Sequence, residues 1–469
     1  MELQKHLWYS YVEVIVSHKL SSKMKENNPI KYHIHPSVFY RSFTESTVVY
    51  LTSGQRVFTF NETVGDILDC FKEPCSVEQA VKKLLGVYDV PDEVEFEKEI
   101  SEFVSQLVEK GILVEEYHQV EVLHNLESEV SSQFDSGEQL YSVLIELTYK
   151  CNERCRHCYI VDEHRQEMSF EKVCEILDEL AEMKTFNIIF TGGELFTRKD
   201  AFEILEYAYS KRFVVDIFTN GNLIDGNDYI RLKSVWPRCV HFSLYSHIPE
   251  KHDAITRVPG SFDKTLKSIR SCVTIGIPVN IKTPIFEETM DDVSGIVALA
   301  NEIGCSVEMG RNITPKKDGD LAPVQMKILS EKDEESVVDT IYQLITTLDN
   351  APAQSKVPDK LCGAGERSLS INPYGEVFPC SMLQICIGDV NKQSIREIWE
   401  HSEKLKEWRQ MNRRSLRKGC DGCKLADECV FCPGEAMMRT GDPLSMYNEA
   451  CETSAFAAKR RMKGGGDPS

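Results

Sequence analysis

Three cysteines separated by three and two residues stand in CNERCRHCY: Cys151, Cys155 and Cys158, with Tyr159 directly after them. Thiolates are the usual ligands of iron-sulfur clusters, and a four-iron cluster takes four ligands. Three close cysteines without an evident local fourth leave one iron open to a substrate or cofactor. On the residues alone zinc is the alternative, because His157 could supply a fourth ligand through nitrogen.

A second constellation lies near the other end. Cys362 is followed by Gly375 and Cys380, then by Cys420, Cys423, Cys429, Cys432 and Cys451. Cysteine-only sets of this kind also bind zinc well. The chain has seventeen cysteines, and its start, MELQKHLWYSYVEVIVSHKLSSK, places charges where a signal peptide needs its apolar centre. The expected compartment is therefore cytoplasmic, where thiols stay reduced and serve as ligands. Cys70, Cys75, Cys174, Cys239, Cys272, Cys305 and Cys386 fall mostly in apolar periodic segments and are expected as small buried hydrophobes.

The surrounding elements must position these ligands. From 141 to about 310 the runs YSVLIELT, FNIIFT, FVVDIFT, CVHFSL, PVNIKT and SVEMG alternate with helical patterns such as SFEKVCEILDELAEMK. Such alternation predicts right-handed parallel βα units. Six of them predict an α/β fold, a partial (β/α)6 TIM-type barrel over 141–330, with chemistry at the strands' C-terminal ends. The cysteine loop follows the first strand. TGGE (Gly192, Gly193, Glu194) ends the second, FTNGN (Thr219, Asn220) the third, Ser243 lies at the fourth, and Arg257 follows in HDAITRVPGSF. Turn chemistry or helix capping would account for any of these taken singly.

Residues 331–361 read as a bridging helix with a Pro-bearing connection, 362–455 as a cysteine-rich, hairpin-prone module, and 456–469 as a disordered tail. Ahead of the barrel, 32–43, 48–54 and 56–62 read as three strands, followed by three helical segments. In the last of these Val94, Ile100, Phe103, Leu107 and Ile112 recur at helical spacing. Together they predict a winged-helix-like domain at 28–118, joined to the barrel by a polar linker, 119–140.

The CxxxCxxC spacing in a strand-to-helix loop resembles the signature of the radical S-adenosylmethionine superfamily, across the whole 141–310 segment. The resemblance implies that Cys151, Cys155 and Cys158 hold a 4Fe-4S cluster whose open iron binds S-adenosyl-L-methionine, cleaved by one electron to a 5′-deoxyadenosyl radical. It implies cofactor contacts for Tyr159, Gly192, Gly193, Glu194, Thr219, Asn220, Ser243 and Arg257, the glycines letting backbone approach the methionine amine. No further catalytic residue is assigned.

The later cysteines resemble the domain called SPASM, after subtilosin, pyrroloquinoline quinone, anaerobic sulfatase and mycofactocin maturases. By that resemblance Cys420, Cys423, Cys429 and Cys451 hold an outer auxiliary cluster and Cys362, Cys380 and Cys432 an inner one, making three 4Fe-4S clusters in all. Seven thiolates for eight positions leave an inner iron vacant unless Cys386 or a non-cysteine group fills it. CVFC at 429–432 is one residue shorter than the usual CxxxC, which bears on the loop's geometry.

The N-terminal layout, with VVYLTSGQRVFTFNETVGDILDCF, resembles the pyrroloquinoline-quinone chaperone fold that recognises leader peptides of ribosomally made natural products. The implied partner is a ribosomal precursor peptide, its leader added as a strand to a sheet edge. A winged-helix DNA binder has a similar outline. Residues 28–118 carry 16 Asp and Glu against 8 Lys and Arg, and the chain a net −20, so nucleic acid is not expected. Nor is a membrane span, since no stretch of about twenty apolar residues occurs.

CGAGERSLSINPYGEVFPC looks like the corresponding stretch of the subtilosin-type thioether maturases of sactipeptides and ranthipeptides. That likeness implies hydrogen abstraction from an acceptor carbon and closure of a thioether by a substrate cysteine, with electrons from a low-potential flavodoxin or ferredoxin. Carbon-carbon or carbon-oxygen cross-linking, sulfatase maturation and a non-catalytic leader-binding zinc scaffold are the alternatives.

Overall fold

The computed structural model describes residues 30–52, 56–115, 139–161, 164–310, 313–327, isolated positions from 333 to 341, 362–412 and most of 415–464. Nearly all of the expected linker and bridging segment lies outside the described residues. The chain forms two compact units, 1–34 with 70–118, and 35–69 with 119–469.

Four short strands come first, β1 (Lys31–Ile34), β2 (Val38–Ser42), β3 (Thr47–Leu51) and β4 (Arg56–Phe60). They are followed by α1 (Thr63–Cys70), β5 (Cys75–Ser76), α2 (Val77–Leu85), α3 (Glu93–Glu109) and β6 (Leu113–Glu115). The stretch read as one strand over 32–43 is thus two. Pro36 has no amide for a ladder, and the chain turns at His35, whose carbonyl accepts from the Val38 amide at 2.9 Å. β1 lies between β5 and β6 in the first unit, whereas β2, β3 and β4 make an antiparallel meander in the second.

In the first unit, Ser76 and Gln79 start α2 with a reciprocal capping box. The Asp92 carboxylate accepts from the Val94 and Glu95 amides to start α3. α3 buries Ile100, Val104 and Leu107. Val94, expected on that face, is exposed. Six residues before Ile100, it points elsewhere on a 3.6-residue helix.

The second unit contains all six expected barrel strands: β7 (Ser142–Glu146), β8 (Asn187–Thr191), β9 (Val214–Thr219), β10 (Cys239–Ser243), β11 (Val279–Pro284) and β12 (Ser306–Gly310), parallel and in chain order. Between them run α4 (Phe170–Glu182), α5 (Ala201–Ser210), α6 (Asp228–Ser234), α7 (Pro249–Thr256), α8 (Ser261–Thr274) and α9 (Val293–Ile303). Strand alternation divides the sheet's two faces. Val143, Ile145, Ile188, Phe190, Val215 and Ile217 join Val173, Leu177, Ile204 and Leu205 in the main core. Leu144, Ile189, Phe218, His241 and Lys282, on the other face, are only half-buried.

The sheet extends beyond the six strands. β13 (Ser368–Ile371) pairs in parallel with β7, and β14 (Glu376–Phe378) and β15 (Gly388–Asp389) follow in antiparallel order. The cysteine-rich module thereby covers the β7 edge, which would otherwise present unpaired backbone groups. The β13–β14 turn needs Gly375 at φ +88°, and the Asn372 side chain accepts from the Tyr374 and Glu376 amides.

α10 (Ile395–His401), α11 (Glu403–Gln410), α12 (Pro433–Thr440) and α13 (Asn448–Gly464) complete the unit. α13 runs to Gly464, into the stretch expected as a disordered tail from 456, and 465–469 lie outside the described residues. ETSAFAAKRRMK is made largely of good helix formers and ends in basic residues that suit a helix C-terminus. Among the described residues, no helix is long and apolar enough to cross a membrane.

Candidate active site

The site begins where β7 ends. Glu167 accepts from the Thr148 hydroxyl at 2.7 Å and the Tyr149 amide at 3.0 Å, fixing the run-in to Cys151. The end of β8 is bound to the same stretch. The Gly193 amide donates to the Thr148 carbonyl at 2.8 Å, and the Glu194 amide to that of Lys150 at 2.9 Å. Gly192 has φ +141°, and a Cβ there would stand 2.2 Å from the Thr148 carbonyl oxygen. At Gly193 one would stand 2.4 Å from that of Lys150. The space these glycines free is filled by the chain's own backbone. On the far side, the Arg154 and Arg156 amides donate to the Thr256 and Ile255 carbonyls at the end of α7. The cysteine loop is therefore gripped by two βα units.

Cys151, Cys155 and Cys158 are free and half-buried. Burial pushes the Cys151 thiol up to about 11, with Glu194, Glu153 and Cys158 adding to the rise. Cys155 and Cys158 are raised first by burial as well, and Cys155 feels both other thiols. Three sulfurs within Coulomb range of one another make a soft donor set that a metal cation would stabilise in the thiolate form, which fits an iron-sulfur group. His157 packs against Tyr245 and Phe286, with ring centres 4.6 and 5.0 Å away. Burial holds its imidazole down at about 4.

Glu194, 1 % exposed, accepts from the Phe196 amide at 3.1 Å, the Thr219 hydroxyl at 2.9 and 3.0 Å, and the Asn220 amide at 2.7 Å. Burial nevertheless raises its carboxyl to about 7. The Asn220 side chain donates to Asn152 at 2.8 Å and reaches 3.9 Å from the Cys151 sulfur. Ser243 is half-buried at the end of β10, two residues before Tyr245, whose hydroxyl lies 4.0 Å from the Cys155 sulfur. The sequence-derived residues thus converge on the cysteine loop. Arg257 caps α7 at φ +59° and is exposed; among the described residues no hydrogen bond or ion pair holds its guanidinium.

Two features had no signal in the sequence. Glu153, inside the loop, is buried and accepts from the Cys155 thiol at 3.1 Å, although a charged residue between ligand cysteines is ordinarily solvated. Lys317 comes from the segment after β12 to meet Glu146, and no motif marks it.

In the C-terminal module the Cys362 thiol feels Cys380 and Cys432, and the Cys451 thiol feels Cys429 and Cys423. Cys420 accepts at its carbonyl from the Cys423 amide. Cys386 donates to the Gly388 carbonyl at 3.3 Å. Burial, with Glu146, Cys158 and Cys380 adding to it, pushes the Tyr159 hydroxyl well above its ordinary value.

The radical SAM superfamily model matches residues 145–300, the iron-sulfur cluster-binding domain model (SPASM) residues 362–424, and the coenzyme PQQ synthesis protein D (PqqD) model residues 46–113. The chain carries radical SAM, SPASM and PqqD domains. Iron-sulfur clusters and S-adenosylmethionine are implied by the first two.

This radical SAM chain is 26 % identical over 331 residues to the AdoMet-dependent heme synthase of Methanosarcina barkeri, covering 64 % of this chain and 93 % of that one. It is 29 % identical over 303 residues to the antilisterial bacteriocin subtilosin biosynthesis protein AlbA of Bacillus subtilis, covering 61 % of this chain and 66 % of AlbA. The crystal structure of Streptococcus suis SuiB bound to precursor peptide SuiA has a similar fold, with TM-score 0.56 and 17 % identity over 90 % of this chain and all of SuiB.

Proposed function

We propose that this radical SAM enzyme is a peptide maturase that installs a cross-link in a ribosomally synthesised precursor peptide, a thioether from a cysteine sulfur to a carbon. The observation that carries this reading is the seam at the β7 edge, where β13 of the SPASM module pairs with β7 and Tyr374 of the β13–β14 turn packs 5.5 Å from Tyr149, two residues before Cys151. A substrate at this seam would be within reach of chemistry on both sides. The likeness to AlbA and the PqqD match at 46–113 support a peptide substrate over a porphyrin.

In this reading Cys151, Cys155 and Cys158 hold one 4Fe-4S cluster, Cys362, Cys380 and Cys432 a second, and Cys420, Cys423, Cys429 and Cys451 a third. A cluster with bound S-adenosylmethionine at these residues would supply one-electron reductive cleavage of the cofactor's carbon-sulfur bond. The chain's residues bind and orient. Glu194, Thr219 and Asn220 brace the Cys151 end of the loop; Ser243 and Tyr245 stand at Cys155; Arg257 offers a free guanidinium for a carboxylate. The 28–118 domain holds the leader. A flavodoxin or ferredoxin supplies the electron, and seventeen free thiols suit the cytoplasm.

The test is anaerobic reaction with a precursor peptide, read by mass spectrometry after alkylation. The expected product has lost two hydrogens and one alkylatable cysteine per ring. Loss of two hydrogens with every cysteine still alkylatable sinks the thioether and favours a carbon-carbon or carbon-oxygen link.

A further inference from the structure

Glu146 ends β7 with 1 % of its surface exposed. A carboxylate there needs a counter-charge, and Lys317 supplies it. The ammonium donates to Glu146 Oε1 and Oε2 at 2.9 and 2.8 Å and to the Tyr149 hydroxyl at 2.7 Å. That hydroxyl donates in turn to Glu146 at 2.8 Å. The Lys317 backbone amide donates to the Tyr159 carbonyl at 2.9 Å. Its ammonium stands 4.8 and 5.5 Å from the Tyr149 and Tyr159 ring centres.

The pair is thus anchored to residues flanking Cys151–Cys158 at both ends. Buried ion pairs contribute little to stability compared with apolar groups of the same shape. A pair fixed here has an electrostatic consequence instead. The ammonium lies against Tyr159, the residue directly after Cys158, so its charge sits beside the cysteine loop.

We propose that the Glu146–Lys317 pair sets the reduction potential of the iron-sulfur group held by Cys151, Cys155 and Cys158, Lys317 favouring its reduced, more negative form. This rests on the cluster reading above. Removing the ammonium would leave a buried anion that opposes an added electron; removing the carboxylate would leave a buried cation that favours it. The two removals should therefore act with opposite sign, which a merely structural role would not produce.

The experiment is a redox titration of the anaerobically reconstituted full-length protein, following the paramagnetic signal that S-adenosylmethionine perturbs, with iron content measured beside it. Lys317→Met should shift the potential negative, Glu146→Gln positive, and Lys317→Arg should stay near the parent, all with parental iron. Unchanged potentials, shifts of one sign, or loss of iron from both charge-removing variants overturn the inference alone. A parent without iron on the three cysteines overturns the cluster reading and this inference with it.

Discussion

Thr219, at the end of β9, donates its hydroxyl to both carboxylate oxygens of Glu194, just beyond the end of β8, at 2.9 and 3.0 Å. One hydroxyl therefore ties together two strand ends beside the cysteine loop. Thr219→Val keeps the shape and removes the donor, leaving a buried carboxylate short of a partner, at a cost of about 1–3 kcal/mol. We expect a lower thermal midpoint together with weaker S-adenosylmethionine binding, and recovery of both in Thr219→Ser. A valine variant equal to the parent in both would show that the two amide bonds suffice.

Gly192 tests the grip on the loop from the other side. An alanine Cβ would meet the Thr148 carbonyl at 2.2 Å, in a backbone conformation that L residues rarely adopt. Gly192→Ala is expected to lower soluble yield and bound iron together. Gly226→Ala serves as the control, because it has a positive φ with nothing within 4 Å of the added carbon. It should cost on the order of 1 kcal/mol and leave iron content unchanged.

The six barrel strands were legible because each is a short apolar run bounded by a helical pattern, and strand and helix periods differ. The convergence of Glu194, Thr219 and Asn220 was legible as motifs at successive strand ends. What sequence could not convey was what those motifs touch: the two glycines press on Thr148 and Lys150. Lys317 lies 171 residues from Glu146, and such a pairing leaves no periodic trace. The split between β1 and β2 was masked because β-prone residues stand close on both sides of the short His35–Ser37 turn, and the addition of β13 to β7 because edge pairing depends on backbone groups common to all sequences.

Cys386 and Cys432 make a discriminating pair. Cys432 shares its surroundings with Cys362 and Cys380, whereas the Cys386 thiol is turned to the Gly388 carbonyl. Cys432→Ser should remove on the order of four irons per chain; Cys386→Ser should remove none and leave the visible spectrum unchanged. Loss of iron on the Cys386 substitution would make it the eighth auxiliary ligand.

Asp216 provides a pH test independent of the metal chemistry. It is buried on β9, where Arg238 Nε donates to it at 2.9 Å and His241 lies 3.8 Å away. Burial works to raise its carboxyl, but Arg238 and His241 overcome that and hold it at about 2, below the ordinary 3.8. The folded state thus takes up the proton later than the unfolded chain does. The resulting stabilisation, about 2 kcal/mol, is complete above the unfolded value and is lost as pH falls through the folded one. Asp216→Asn should already be less stable at neutral pH, by on the order of 2–3 kcal/mol, because it leaves the half-buried Arg238 without its counter-charge. The gap between the thermal midpoints of parent and variant should stay constant from pH 7 to about 4 and narrow below that, by at most the equivalent of about 2 kcal/mol; a constant gap down to pH 2 would mean that the carboxylate's charge contributes nothing.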